Sequence, residues 1–150
     1  KGTVIRNGAY IEGPSIIGEN CLIAPGSLIR KSSSIGNNVI VGHAVEIKNS
    51  IIMNGTVINH GCYLGDSVVG ENADIGAGTI TANWRHDGKN IKSVVKSNLT
   101  DTGRMKFGTV IGDGAKIGIH TSIYPGRKIW PQAVTLPAEC IRYDVVTKIK

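Results

Sequence analysis

One phenylalanine, three cysteines and five prolines in 150 residues are scarcities that each close an option. With aromatic residues at only 5%, a core assembled from stacked rings is excluded. Cys21, Cys62 and Cys140 contain no CxxC pair and are odd in number, which argues against a disulfide framework and for a reducing, cytoplasmic setting. No apolar run reaches the eighteen or so residues that a membrane helix needs, and no secretory leader is visible. Neither a spanning nor a secreted protein is expected. A GxGxxG nucleotide fingerprint and a Ser-His-Asp arrangement are missing as well.

Against these absences stand 20 glycines, 41% hydrophobic residues and a net charge of +6. The length fits a single domain spanning residues 1–150. Because the chain starts "KGTVI", without Met and already in its repeating rhythm, it is expected to be a piece of a longer protein. The charge is unevenly spread. Between residues 82 and 109 six cations (Arg85, Lys89, Lys92, Lys96, Arg104, Lys106) face two carboxylates (Asp87, Asp101), a net +4. Such a segment suits nucleic acid or a phosphorylated small molecule. With Trp84 and Phe107 as its only aromatics, nucleic-acid binding is disfavoured.

An aliphatic residue recurs every six positions at Ile5, Ile11, Ile17, Ile23, Ile29, Ile35, Val41 and Ile47. After a five-residue step it continues at Ile52, Ile58 and Leu64, then after another at Val69 and Ile75, and resumes at Ile111, Ile117, Ile123 and Ile129. Glycine often follows, at 18, 36, 42, 65, 70, 76, 112 and 118, as expected where backbones approach closely or φ is positive. The fifth position of each unit is small or β-branched, from Ala9, Ser15 and Cys21 through Ile51, Cys62 and Val68 to Thr121. A helix needs a 3.6 period and a half-buried strand a period of 2. Six with two inward positions fits short strands and turns stacked as a parallel β-helix. Cys21 and Cys62 then fill small inward slots as packing residues. From about Ala82 to Thr109 the rhythm is lost, too long a gap for a corner, and "VVKSNLTDTGRMKFG" suits a hairpin or a strap across a neighbouring coil. After Ile129 the period fades, leaving "AECIRYDVVTKIK" open between a strand and an exchanged tail.

The six-period resembles the hexapeptide acyltransferase superfamily, whose fold is a left-handed parallel β-helix with three hexapeptides per triangular coil. More specifically, "HGCYLGD" followed by "IGAGTITAN" is similar to the acetyltransferase domain of the bifunctional glucosamine-1-phosphate acetyltransferase and N-acetylglucosamine-1-phosphate uridylyltransferase family. The continuation "NWRHDGKNIK" through "GRMKFGTVIGDGAKIGIHTSIYPG" looks most like its archaeal sugar-1-phosphate members. This resemblance implies an N-terminal nucleotidylyltransferase domain outside this chain, a homotrimer with sites between rods, acetyl-coenzyme A as cosubstrate and an amino sugar 1-phosphate as acceptor, either glucosamine or galactosamine 1-phosphate. The competing reading is a non-catalytic trimerisation domain of a nucleotidylyltransferase.

By the same resemblance His60 is the catalytic base, a task that a near-neutral imidazole suits. Tyr63 contacts the sugar phosphate, and Asn83 positions the sugar or stabilises the oxyanion. Arg30 and Lys48, eighteen residues apart, should stack on one corner as a phosphate clamp. Asp74 stands where bacterial members have a substrate-binding asparagine. Lys89 and Lys92 fall on the inserted loop as contacts to phosphate, while Ile119 and Pro137 mark where coenzyme A is held through backbone groups. Carbonic anhydrases of the same fold bind metal through closely paired histidines, and His43, His60, His86 and His120 form no H-x4-H pair; no metal is expected.

Overall fold

In the computed structural model, which describes residues 1–146, the chain is all-β and winds as a left-handed parallel β-helix. Strands of two or three residues assemble into three parallel sheets of six, seven and six strands, one for each face of the coil. The first face runs from Val4–Ile5 to Lys116–Ile117, the second from Tyr10–Ile11 to Cys140–Ile141, and the third from Ser15–Ile17 to Lys128–Ile129. Ile5 pairs with Ile23 and Ile23 with Val41, a spacing of eighteen residues. At the five-residue steps it falls to seventeen, with Ile47 against Leu64. Among the described residues no helix is long and apolar enough to cross a membrane.

The aliphatic column is the core. Ile23, Ile29, Val41, Ile47, Ile58, Leu64, Val69 and Ile75 are fully enclosed, each contributing about 1.5–3 kcal/mol by leaving water. The small inward slot is where the sequence count slips. Ile51 and Val68 were expected inside, but Ser50 and Ser67 occupy the slot and Ile51 is 48% exposed. In a unit shortened to five residues the deletion falls before the strand, so the inward position keeps its place two residues ahead of the aliphatic rather than four behind the previous one. Ser50 Oγ donates to the Lys48 and Leu64 carbonyls, and Ser67 Oγ to that of Gly65. Cys21 and Cys62 are buried in the same slot.

The glycines after the aliphatic are required by close approach alone. A Cβ on Gly42 would lie 2.8 Å from the Ile58 carbonyl oxygen of the next coil. Positive φ falls instead two residues later, on Asn20, Asn38, Ala44, Asn72 and His120, or one residue later, on Asp66 after Gly65, mostly residue types that tolerate the left-handed region.

The rhythm also persists past Ile75 and Ile129. Thr81 and Thr135 stand in aliphatic slots and are buried; their hydroxyls accept the amides of Gly65 and Gly118, which elsewhere bond a carbonyl of the next coil, as Gly42 does with Ile58. The six-residue period therefore runs on through Thr135 to Ile141, whose strand pairs with Ser122–Ile123. Val145 then bridges to Ile129. The tail up to residue 146 is further coil; residues 147–150 of that stretch lie outside the described residues.

The break in the repeat is an excursion from one corner, between the second and third faces. It carries an antiparallel hairpin, Lys92–Val95 against Asn98–Asp101, turning through Lys96 and Ser97, both at positive φ as a two-residue hairpin loop of primed type requires. Ile91 is buried beneath it, and Arg127 from the rod donates to the Lys92 carbonyl at 2.7 Å.

Candidate functional site

Register builds the site. Ile29 pairs with Ile47 and Gly65 with Lys48, so Arg30 and Lys48 stack on the corner where the second face ends, as their spacing predicts. They line a cavity of about 330 Å³ with Tyr63, Asn83, Trp84 and Lys106. Both cations have a carboxylate partner: Arg30 Nη1 reaches Glu46 Oε1 at 2.9 Å, and Lys48 Nζ reaches Asp66 Oδ2 at 3.0 Å.

Asp66 is the hub behind this wall. Its side chain is only 7% exposed; it accepts from Lys48 Nζ, from Asn49 Nδ2 at 2.7 Å and from Asn83 Nδ2. Burial pushes the Asp66 carboxyl up, but the hydrogen bonds from Asn49, Lys48 and Asn83 outweigh it and hold the group below the usual carboxylate range. Asn83 Nδ2 also donates to Tyr63 Oη at 3.1 Å. Since an ionised carboxylate can only accept, the group facing Asp66 must be the NH₂ of Asn83. Both of its N–H bonds are thereby engaged. Asn83 is left with a carbonyl acceptor for a ligand, where an oxyanion would need a donor. The Tyr63 hydroxyl, accepting from Asn83, keeps its own proton to donate.

Gly65 makes this closure possible. A Cβ there would fall against Tyr63 Oη and 2.7 Å from Asn83 Nδ2. The glycine of "HGCYLGD" thus gives the tyrosine tip its seat.

The other expected residues lie elsewhere. His60 is exposed and sits on the opposite edge of the second face, at the corner joining it to the first. Its carbonyl accepts from Gly78, that of Ala77 from His120, and that of Ile119 from Ala138. His60, Ile119 and Pro137 therefore belong to one corner column, with Ile119 and Pro137 on adjacent coils. Asp74 is exposed on the first face and bonds Asn59 Nδ2 at 3.0 Å. Lys89 is exposed and lines neither of the two cavities at the insertion. Lys92 lines the larger one, about 610 Å³, with Trp84, Tyr124, Leu99, Arg127 and Arg142.

Trp84 and Lys106 belong to the smaller cavity and were not foreseen as site residues. Lys106 Nζ stands 5.8 Å from the Trp84 ring centroid, within cation–π range. A topological signal was available: an excursion that leaves and rejoins one corner must bring its two feet together. Phe107 donates to the Asn83 carbonyl at 3.1 Å, so the residues flanking the gap meet there.

Known proteins extend this picture. A model of the GMPPB C-terminal domain matches residues 11–117. The bifunctional sugar-1-phosphate nucleotidylyltransferase/acetyltransferase of Sulfurisphaera tokodaii is 41% identical over 141 residues, covering 94% of this chain and 35% of that protein. The bifunctional protein GlmU of Methanocaldococcus jannaschii is 41% identical over 105 residues, covering 70% and 26%. The chain thus spans about a quarter to a third of the length of these relatives. Among solved structures, a hexapeptide transferase family protein from Anaplasma phagocytophilum superposes with a TM-score of 0.62 at 19% identity, covering 94% of this chain and 78% of that one; this supports the fold. With more than half of its length matched by the family model, the chain belongs to the GMPPB C-terminal domain family.

Proposed function

We propose that this domain is an acetyl-coenzyme A dependent N-acetyltransferase acting on an amino sugar 1-phosphate, glucosamine or galactosamine 1-phosphate, within a longer protein that also transfers a nucleotidyl group. The observation that carries the reading is the convergence of Arg30, Lys48, Tyr63 and Asn83 on one cavity, in a chain whose 41% identical relative is named a nucleotidylyltransferase/acetyltransferase.

Arg30, Lys48 and Lys106 supply positive charge for the phosphate. Tyr63 Oη and Asn83 Oδ1 offer a donor and an acceptor to the sugar. In the transfer the amine nitrogen attacks the thioester carbonyl, His60 takes a proton from the amine, and as the C–S bond breaks the imidazolium so formed returns that proton to the leaving thiolate. Backbone amides, rather than Asn83, would hold the oxyanion. His60 and the cavity flank the second face from opposite edges, so a substrate would lie across that face, near Ile119 and Pro137 as the coenzyme A corner. Exposed aliphatic side chains on the other faces, Ile16 and Ile51 on the third and Ile40 on the first, suit association into a homotrimer that would close the site.

Free-thiol release from acetyl-coenzyme A, with glucosamine 1-phosphate, galactosamine 1-phosphate or no sugar, tests this. Sugar-dependent release that falls about 10²- to 10⁴-fold in His60→Ala is expected. The separation of His60 from the cavity favours a second reading, a non-catalytic trimerisation domain; a folded trimer that releases no thiol and binds no acetyl-coenzyme A would establish it.

A further inference from the structure

Asp66 is one of the left-handed residues of its corner, at φ 51°. Its backbone amide donates to the Lys48 carbonyl and its carbonyl accepts from Gly108. Equivalent places on earlier coils are filled by Ser32 at φ 63° and Asn49 at φ 47°. The turn therefore needs no carboxylate. What the carboxylate adds lies outside the turn: it gathers three donors, the Lys48 ammonium and the amides of Asn49 and Asn83, while its side chain is almost enclosed. Two of those three donors, Lys48 and Asn83, line the cavity, whereas Asp66 does not.

We infer that Asp66 is the positioning residue of this cavity, holding the Asn83 amide so that its carbonyl oxygen is offered to the ligand. The inference rests on the cavity being a sugar phosphate site and sharpens it: the ligand must present a hydrogen-bond donor, an ammonium or hydroxyl, to Asn83 while its phosphate meets the cations. An unanchored asparagine could present either end. Held against a carboxylate and the Tyr63 oxygen, it presents only an acceptor.

Asp66→Asn is the discriminating variant, because asparagine tolerates the left-handed backbone and keeps the size of the side chain. The new amide brings its own NH₂ group against Lys48, Asn49 and Asn83, so one donor must swing away and Asn83 is free to turn. In calorimetric titrations of the intact chain, Asp66→Asn is expected to weaken glucosamine 1-phosphate about 10- to 100-fold, with inorganic phosphate weakened much less and the oligomeric state unchanged. Equal weakening of both ligands, or none, overturns the inference. A ligand-free arm separates this from failure of the function itself: the Asn83 side-chain NH₂ resonances should exchange slowly with solvent in the wild type and rapidly in Asp66→Asn. If the wild type binds no sugar phosphate yet shows that protection and its loss, the proposed function falls and the positioning role stands. Protection that is unchanged in the variant overturns the positioning role.

Discussion

Two corners of the same rod are built from one backbone device and do different things. Where the third face meets the first, polar side chains bond the backbone of the coil next door: Asn37 Oδ1 accepts the Glu19 amide, Asn54 Oδ1 accepts that of Asn37, and Asp113 Oδ1 accepts that of Glu71. Where the second face meets the third, Lys48, Asp66, Asn83 and Tyr63 bond one another. The first arrangement satisfies backbone donors and adds the exposed side-chain pair of Asn54 Nδ2 with Glu71 Oε1 at 3.0 Å. The second leaves an acceptor on Asn83 and a donor on Tyr63 facing a cavity. What distinguishes the corners is the excursion of residues 82–109, which adds Asn83, Trp84 and Lys106 to one of them and walls it in. A repeat makes corners interchangeable for stability; the insertion gives one of them a cavity.

Breaking the network from the cation side should show the largest effect on that contrast. Lys48→Ala removes a charge from the cavity and one partner from the nearly enclosed Asp66 carboxylate. Sugar phosphate affinity is expected to fall by tens of fold, with a loss of about 1–3 kcal/mol in stability measured by denaturant unfolding. Arg30 is a useful control, since its pair with Glu46 is well exposed and contributes little to stability. Next comes Gly65→Ala, whose φ is not left-handed but whose Cβ would displace Tyr63 Oη and Asn83 Nδ2. Misplacement of this size should cost about tenfold or more in sugar-dependent kcat/KM, while the melting temperature moves little. At the other corner the pattern inverts. Asn54→Ala removes the cap on the Asn37 amide and should cost about 0.5–1.5 kcal/mol in unfolding free energy with unchanged titration of ligand. If Asn54→Ala also weakened the ligand, the two corners would not be separable.

Most of the rod was legible because a six-residue period maps one to one onto a face, three to each coil, and each inward Ile, Val or Leu is placed by burial alone. The stacking of Arg30 on Lys48 follows from the same arithmetic. The count failed where hydroxyls did unexpected work. Thr81 and Thr135 fill aliphatic slots because each lends an oxygen to a glycine amide, so a count of aliphatic residues alone ends the period early. Ile51 and Val68 were placed inside because a missing residue in a short unit was assigned to the wrong side of the strand. In the site, Tyr63 and Asn83 were found by motif, whereas Lys106 was hidden within the charge of the insertion. Lys89 and Asp74, also carried by motif, stand away from the cavity.

By itself, then, the sequence determined the coil, its core and the corner on which Arg30 and Lys48 stack, since those depend on spacing along a chain of fixed rise. Only tertiary structure decided which end of Asn83 is left unengaged at the cavity and which lysine of the insertion joins it there. Those outcomes depend on where a buried carboxylate and the two feet of an excursion meet, and such meetings have no period.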